Sequence, residues 1–420
     1  MYKQKILKNK LRFISVPMQG TKTATILILV GAGSKYENKK NNGISHFLEH
    51  MLFKGTEKRP NTLAIASELD ALGAEFNAFT SKEFTGYWVK TAKLKIESAT
   101  DIISDMFFNS KFDSEEINRE RGVIIEEINM CHENPMMYIE DVFEECLYGD
   151  TPAGRELIGP KKNILAFQRK DFVDYFSKHY RADNTIVCLA GSFNKKNENK
   201  LIDYFSDFNN FNSAEKEAVA ERQGKPKILI KHKEGEQINL SLGVRAYSTS
   251  HKDEFVLKLI SIILGGSMSS RLFLELRERR GLAYYVRTQA EFYTDSGYLT
   301  TQAGVPKSKT EEAVKVILNE YQKIKNEPIS SKELQKAKDS IRGRVTIQLE
   351  SSDDVANWYA RQALIRGRDL TPEDFFKKIE KINAKDIQRV AVDIFKSRGL
   401  NLAIIGSYKE ESKILKFLKL

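Results

Sequence analysis

The chain has 420 residues, 41% of them hydrophobic, with 24 Phe, 16 Tyr and only 9 Pro, a composition that predicts a packed soluble protein and argues against disorder. That length exceeds one ordinary core and predicts two domains of about 200 residues each. The 67 basic residues stand against 57 acidic ones for a net charge of +10. They are interleaved with no dense basic block, so no nucleic-acid partner is expected.

Taken in chain order, residues 11–16 alternate like a strand. The longest early apolar run, 26–30, is too short for a signal-peptide core or a membrane span. No membrane span is expected, and a cytoplasmic location follows by default. Helices are predicted over 43–54 and 62–72, and an antiparallel strand pair over 74–80 and 85–91 around a turn at Ser81-Lys82. Helical periodicity then covers 94–109, 114–131 and 136–147. Cys131, Cys146 and Cys188 are odd in number, widely spaced and without C-x-x-C spacing, which predicts buried thiols in a reducing compartment.

The chain also contains itself twice. Residues 171–193 pair an amphipathic helix with an apolar strand that ends in Gly191-Ser192-Phe193, and residues 386–408 repeat this with Gly406-Ser407-Tyr408, 215 positions later. A strand at 25–31 has a counterpart at 238–246. Two homologous α+β domains are therefore predicted, 1–212 and 226–420, each a mixed and mainly antiparallel sheet with helices packed on it. The linker is placed at 213–225, where Asn209, Asn210, Asn212, Ser213 and Gly224 break periodicity around the join.

The chemistry concentrates in His46-Phe47-Leu48-Glu49-His50. At about 100° per residue, positions 46, 49 and 50 fall within one arc of a helix, so two imidazoles and a carboxylate point the same way. Zn²⁺ takes neutral His nitrogens and, in catalytic sites, keeps one position for water. Only 6 His occur in the whole chain, which makes the cluster informative. A third ligand is needed, and the acidic helix around Glu120-Arg-Gly-Val-Ile-Ile-Glu126-Glu127 supplies carboxylates. Glu120 and Glu127, seven apart, share a face; Glu126 lies about 100° away and reads as solvated. Spacing alone leaves open which of Glu120 and Glu127 ligates. Glu49, beside the histidines but not needed as a ligand, reads as the general base.

His-x-x-Glu-His is the inverted zincin signature. With 76 residues between His50 and Glu127, the chain resembles the pitrilysin/insulinase family, which includes the mitochondrial processing peptidase and its bacterial relatives. The likeness extends through Gly43-Ile-Ser-His46, Phe53-Lys54-Gly55-Thr56, Asn77-Ala78-Phe79-Thr80, Gly191-Ser192 and Ser269-Ser270-Arg271-Leu272-Phe273. It implies a processing-peptidase-like metallohydrolase fold and a zinc endopeptidase acting on peptides or unfolded segments, with one zinc per chain. It selects Glu127 as third ligand and Glu120 as the carboxylate supporting the ligands. It makes the strand carrying Asn77, Ala78 and Phe79 an exposed edge on which substrate adds as a further strand. Arg277 and Tyr284, in Leu276-Arg277-Glu-Arg-Arg-Gly281-Leu-Ala-Tyr284, match a pair that holds the substrate backbone and the developing oxyanion.

The second half lacks the metal motif: a shift of 215 residues from the four zinc-site positions lands near Ser261, Leu264, Gly265 and Arg342. The resemblance therefore implies a dimer, homomeric or with a homologous subunit, in which one chain's Arg277 and Tyr284 serve the other's zinc. The family also holds non-catalytic assembly subunits, which usually lose parts of the zinc motif. Here the motif is complete, and the loop Gly265-Gly266-Ser267 is short, unlike the long glycine-rich loop of the processing peptidase's non-catalytic subunit.

Overall fold

A computed structural model describes residues 2–209, 215–367 and 370–420. Eleven strands fall into two sheets among these residues. The first holds β1 (Lys3–Ile6), β2 (Arg12–Pro17), β3 (Thr23–Val30), β4 (Glu75–Thr80), β5 (Thr85–Ala92) and β6 (Thr185–Gly191). The second holds β7 (Lys227–Lys231), β8 (Gln237–Arg245), β9 (Tyr285–Phe292), β10 (Gly297–Pro306) and β11 (Leu400–Ile405).

Their orders are β1-β2-β6-β3-β5-β4 and β7-β11-β8-β10-β9. Leaving out β1, the two are the same topology. The opening strand of each half lies parallel to its closing strand, β2 to β6 and β7 to β11, and every other neighbour is antiparallel. The strands expected to be repeat partners, β6 with β11 and β3 with β8, occupy equivalent places. The fold is thus α+β with two sheets of one design. Of the predicted join, Asn210, Asn212 and Ser213 lie outside the described residues; the described stretch 215–225 holds neither helix nor strand.

The compact units are not the continuous halves 1–212 and 226–420. One comprises Met1–Asn129, Arg155–Glu217 and Thr346–Leu370; the other comprises Met130–Gly154, Ala218–Val345 and Thr371–Leu420. The physical reason is an exchange of helices. β3 is buried on both faces: Ala24, Ile26, Ile28 and Val30 join the core beneath the first-half helices, while Leu27 and Leu29 face the other way. That second face is covered by Val355, Ala356, Tyr359, Ala360 and Ala363 of the helix Ser352–Arg366, which the chain reaches only in its second half. Reciprocally, Ile139, Val142, Phe143 and Leu147 of the first-half helix Pro135–Tyr148 pack with Tyr298, Ala403 and Ile405 of the second sheet. A sheet with two apolar faces needs cover on both, and each half supplies one cover for the other.

Helix bounds are shorter than periodicity suggests at three places, by four residues for 43–54, one for 62–72 and two for 94–109. The helix expected over 43–54 runs Ile44–Met51, the one over 62–72 runs Thr62–Ala71 and the one over 94–109 runs Ile96–Asn109. The others match to within two residues. Cys146 and Cys188 are buried, Cys131 is half-buried, and none is in a disulfide. Among the described residues no helix is long and apolar enough to cross a membrane.

Candidate metal centre

The helix Ile44–Met51 is positioned from its first residue. Gly43, at its start, has φ of +102°, which an L side chain rarely adopts, and a Cβ there would lie 2.6 Å from the Ile158 carbonyl oxygen. No side chain of its own caps the helix. The buried Glu37 does so instead, accepting from the backbone N–H groups of Gly43 and Ser45, each at 2.8 Å, and from Asn42 Nδ2 at 3.0 Å. Burial raises the Glu37 pKa, against the lowering effect of these donors. Ile44, Phe47, Leu48 and Met51 fill the core at 0–1% exposure, so the opposite face presents His46, Glu49 and His50.

On that face the two imidazoles lie 4.8 Å apart, centre to centre, at 67°. The helix Ser114–Glu133 brings Glu127 onto them: Oε1 is 3.5 Å from His46 Nε2 and Oε2 is 3.7 Å from His50 Nε2. One donor atom from each of His46, His50 and Glu127 lies within 4.8 Å of the others. Atoms bound to one tetrahedral zinc at about 2.0–2.2 Å stand about 3.4 Å from one another. The spacing and the two-nitrogen, one-oxygen donor set therefore fit zinc.

Two turns before Glu127 along the same face, Glu120 is 5% exposed. Its Oε1 lies 2.8 Å from His50 Nδ1, and its Oε2 lies 2.5 Å from Lys54 Nζ. With Nδ1 donating to this carboxylate, His50 presents Nε2 as a lone-pair donor, the usual way an outer partner orients a metal-binding imidazole. Burial alone would raise the Glu120 pKa, but hydrogen bonds from His50 and Lys54 outweigh it and hold the carboxyl below its usual range. Likewise burial opposes a charged His50, and Glu120, Glu49 and Glu127 together raise its pKa nonetheless. Glu127 is lowered first by its hydrogen bond with His46. Buried His46 Nδ1 has no hydrogen-bond partner among the described residues, so the polar contact of this ring is made through Nε2, toward Glu127. Glu126 is exposed, as its angle on the helix predicts. Glu49 stands beside the cluster, its Oε2 accepting from Thr80 Oγ1 at 2.6 Å.

Thr80 closes β4, which is an edge strand of its sheet and, among the described residues, pairs only with β5. The edge position expected for Asn77, Ala78 and Phe79 is the observed one. Asn77 Oδ1 takes the Ala78 N–H at 2.8 Å. Phe79 lies over Gly86, where an added Cβ would fall 2.3 Å from Phe79 Cζ; the ring occupies the space that this glycine leaves open.

Arg277 and Tyr284 belong to the other unit. Arg277, on the π-helical segment Phe273–Glu278, donates from Nη1 to the Tyr284 carbonyl oxygen at 3.0 Å. Its guanidinium carbon lies 5.1 Å from the Phe273 ring centre and 5.6 Å from that of Tyr284. Tyr284 is 78% exposed, so its phenol is available to a ligand. Sequence reasoning quoted Phe273 inside a motif but gave it no role toward Arg277, although an aromatic four residues before an arginine on one helical turn was a signal for the contact. It also gave no individual role to Glu37, Lys54 or Thr80. The last two stood inside quoted motifs, but nothing in their spacing says what they touch.

A helical His-x-x-Glu-His joined by a distant glutamate, set beside a sheet edge, defines the inverted-zincin class of site. Comparison with known proteins agrees with that description. The family model described as insulinase (peptidase family M16) matches residues 12–161, and that described as the peptidase M16 inactive domain matches 166–341. A Bacillus subtilis protein named an uncharacterized zinc protease is 31% identical over 399 residues, covering 94% of this chain and 96% of the relative. A Rickettsia bellii protein of the same description is 33% identical over 405 residues, covering 95% and 96%. The crystal structure of a protease from Helicobacter pylori superposes with a TM-score of 0.89 at 24% identity, covering 97% of this chain and 99% of that one. A chain of complex III from Candida albicans reaches 0.83 at 17% identity, covering 100% of each; these two show the fold. The chain belongs to the insulinase (peptidase M16) family.

Proposed function

We propose that the protein is a zinc-dependent endopeptidase that hydrolyses peptides or unfolded polypeptide segments, with one zinc per chain held by His46, His50 and Glu127. The observation that carries this reading is the convergence of those three donors, all within 4.8 Å of one another, with the unligated carboxylate of Glu49 next to them in sequence. Zinc, when bound, polarises the scissile carbonyl and makes a water more acidic. Glu49 takes a proton from the attacking water on a carboxylate oxygen. As the carbon–nitrogen bond breaks, Glu49 passes that proton to the leaving amine.

Substrate is held in two ways. The free edge of β4, with Asn77, Ala78 and Phe79, accepts an extended peptide as an added strand. Backbone pairing of this kind is indifferent to side chains and suits unfolded segments. Arg277 and Tyr284 donate to the substrate backbone and to the oxyanion that develops on the carbonyl. We assign the pair to the zinc of a second copy or of a homologous subunit. Mixing an Arg277→Ala, Tyr284→Phe chain with a Glu49→Gln chain is then expected to restore activity at one site per mixed dimer. Mixed dimers without recovery would remove the trans arrangement.

The second reading, a non-catalytic assembly homologue, draws on the likeness to a complex III chain; the complete donor set speaks against it. Metal analysis of the purified chain, together with cleavage of a quenched-peptide library, separates the possibilities. Near-stoichiometric zinc with chelator-sensitive cleavage is expected. Zinc without cleavage would point to another hydrolysable substrate class, and a chain that takes up no zinc would sink the proposal.

A further inference from the structure

We propose that Thr80 is a positioning residue for the general base, aiming the Glu49 carboxylate from the end of the edge strand. The inference rests on the assignment of Glu49 as base. Thr80 Oγ1 lies 2.6 Å from Glu49 Oε2, a short hydrogen bond from a neutral donor to a carboxylate. A threonine hydroxyl has one proton to give, and the surroundings settle where it goes. Its other side-chain contact, Thr85 Oγ1, is 3.5 Å away, too far for a strong bond. Thr85 is itself fully buried, and its own proton is committed to the Ala32 carbonyl at 2.8 Å. Thr80 therefore donates to Glu49, occupying Oε2.

The strand end that carries this hydroxyl is anchored on two sides. Thr80 and Thr85 are register partners. In the turn between them, Ser81 donates from its backbone N–H and its Oγ to the Phe84 carbonyl at 2.8 and 3.0 Å. The turn is fastened in turn to the segment before the ligand helix, where Lys35 donates to the Lys82 carbonyl at 2.8 Å. One strand thus carries both the backbone edge and the group that orients the base. A peptide aligned on β4 is aligned on the same rigid element that sets the direction of Glu49, and orientation of this kind contributes to rate and not to substrate affinity.

Thr80→Val keeps the shape and removes the hydroxyl. Its kcat is expected to fall about tenfold, the size of a lost hydrogen bond to a charged group, while KM, zinc affinity by chelator competition and Tm stay at wild-type values. Thr80→Ala is expected to show the same loss, so the test survives should the valine variant fail to fold. Thr80→Ser, which retains the donor, is expected to return to within about twofold of wild type. A hydroxyl-free variant with wild-type kcat would overturn the inference, as would one whose zinc affinity or Tm falls together with kcat. Glu49→Gln, run in parallel, tells the two failures apart: if it keeps turnover, the base assignment itself is wrong, whatever Thr80 does.

Discussion

Glu49→Gln is expected to bind zinc as the wild type does and to lose turnover by between about 10²- and 10⁴-fold, the usual contribution of a general acid–base group. The substitution exchanges one carboxylate oxygen for an amide nitrogen of nearly the same size, so packing on the helix Ile44–Met51 is undisturbed. Glu49 makes no part of the three-residue donor cluster, which is why metal content is expected to hold. The Thr80 hydroxyl still finds an acceptor in the amide oxygen. What disappears is a group able to accept a proton near neutral pH. Single-turnover cleavage of a quenched peptide, measured beside metal analysis of the same preparation, separates the two effects. Wild-type cleavage by a zinc-loaded Glu49→Gln chain would refute the role.

Three carboxylates of the acidic helix, Glu127, Glu120 and Glu126, are expected to rank in their effect on zinc affinity. Glu127→Gln comes first, because it removes the one anionic donor that lies 3.5 and 3.7 Å from the two histidine nitrogens. A neutral amide oxygen at that position neither balances the cation's charge nor competes with water for it. Glu120→Gln follows, with the loss of about 10- to 100-fold typical of an outer partner: it weakens the hold on His50 Nδ1 and leaves Lys54 without its counter-charge. Glu126→Gln is expected to have no effect, since Glu126 is exposed on another face. Competition against a fluorescent zinc chelator gives all three values in one assay. A larger loss for Glu120→Gln than for Glu127→Gln would reverse the assignment of ligand and support.

The legibility of this arrangement in the sequence varies with the distance over which each relation acts. His46, Glu49 and His50 share one short helix, so their common direction follows from helical pitch and needs no knowledge of the fold. The shared face of Glu120 and Glu127 follows in the same way. The choice between them does not, because it depends on where one helix crosses another. Glu37 illustrates the limit: it lies nine positions before His46, outside any periodic relation to it, and reaches the helix start only because the segment between them folds back.

The same division holds for the whole chain. Local periodicity, turn chemistry and the doubled Gly-Ser-aromatic strands carry the element types, the repeated topology and the ligand helix, since each is set by interactions among near neighbours. The place of β4 at the edge and the exchange of covering helices arise from long-range packing. The apolar faces of Ser352–Arg366 and Pro135–Tyr148 are plain in their residues, yet an apolar face names no partner. Burial is non-directional, and any sheet face of matching shape would satisfy it until the folded chain selects one.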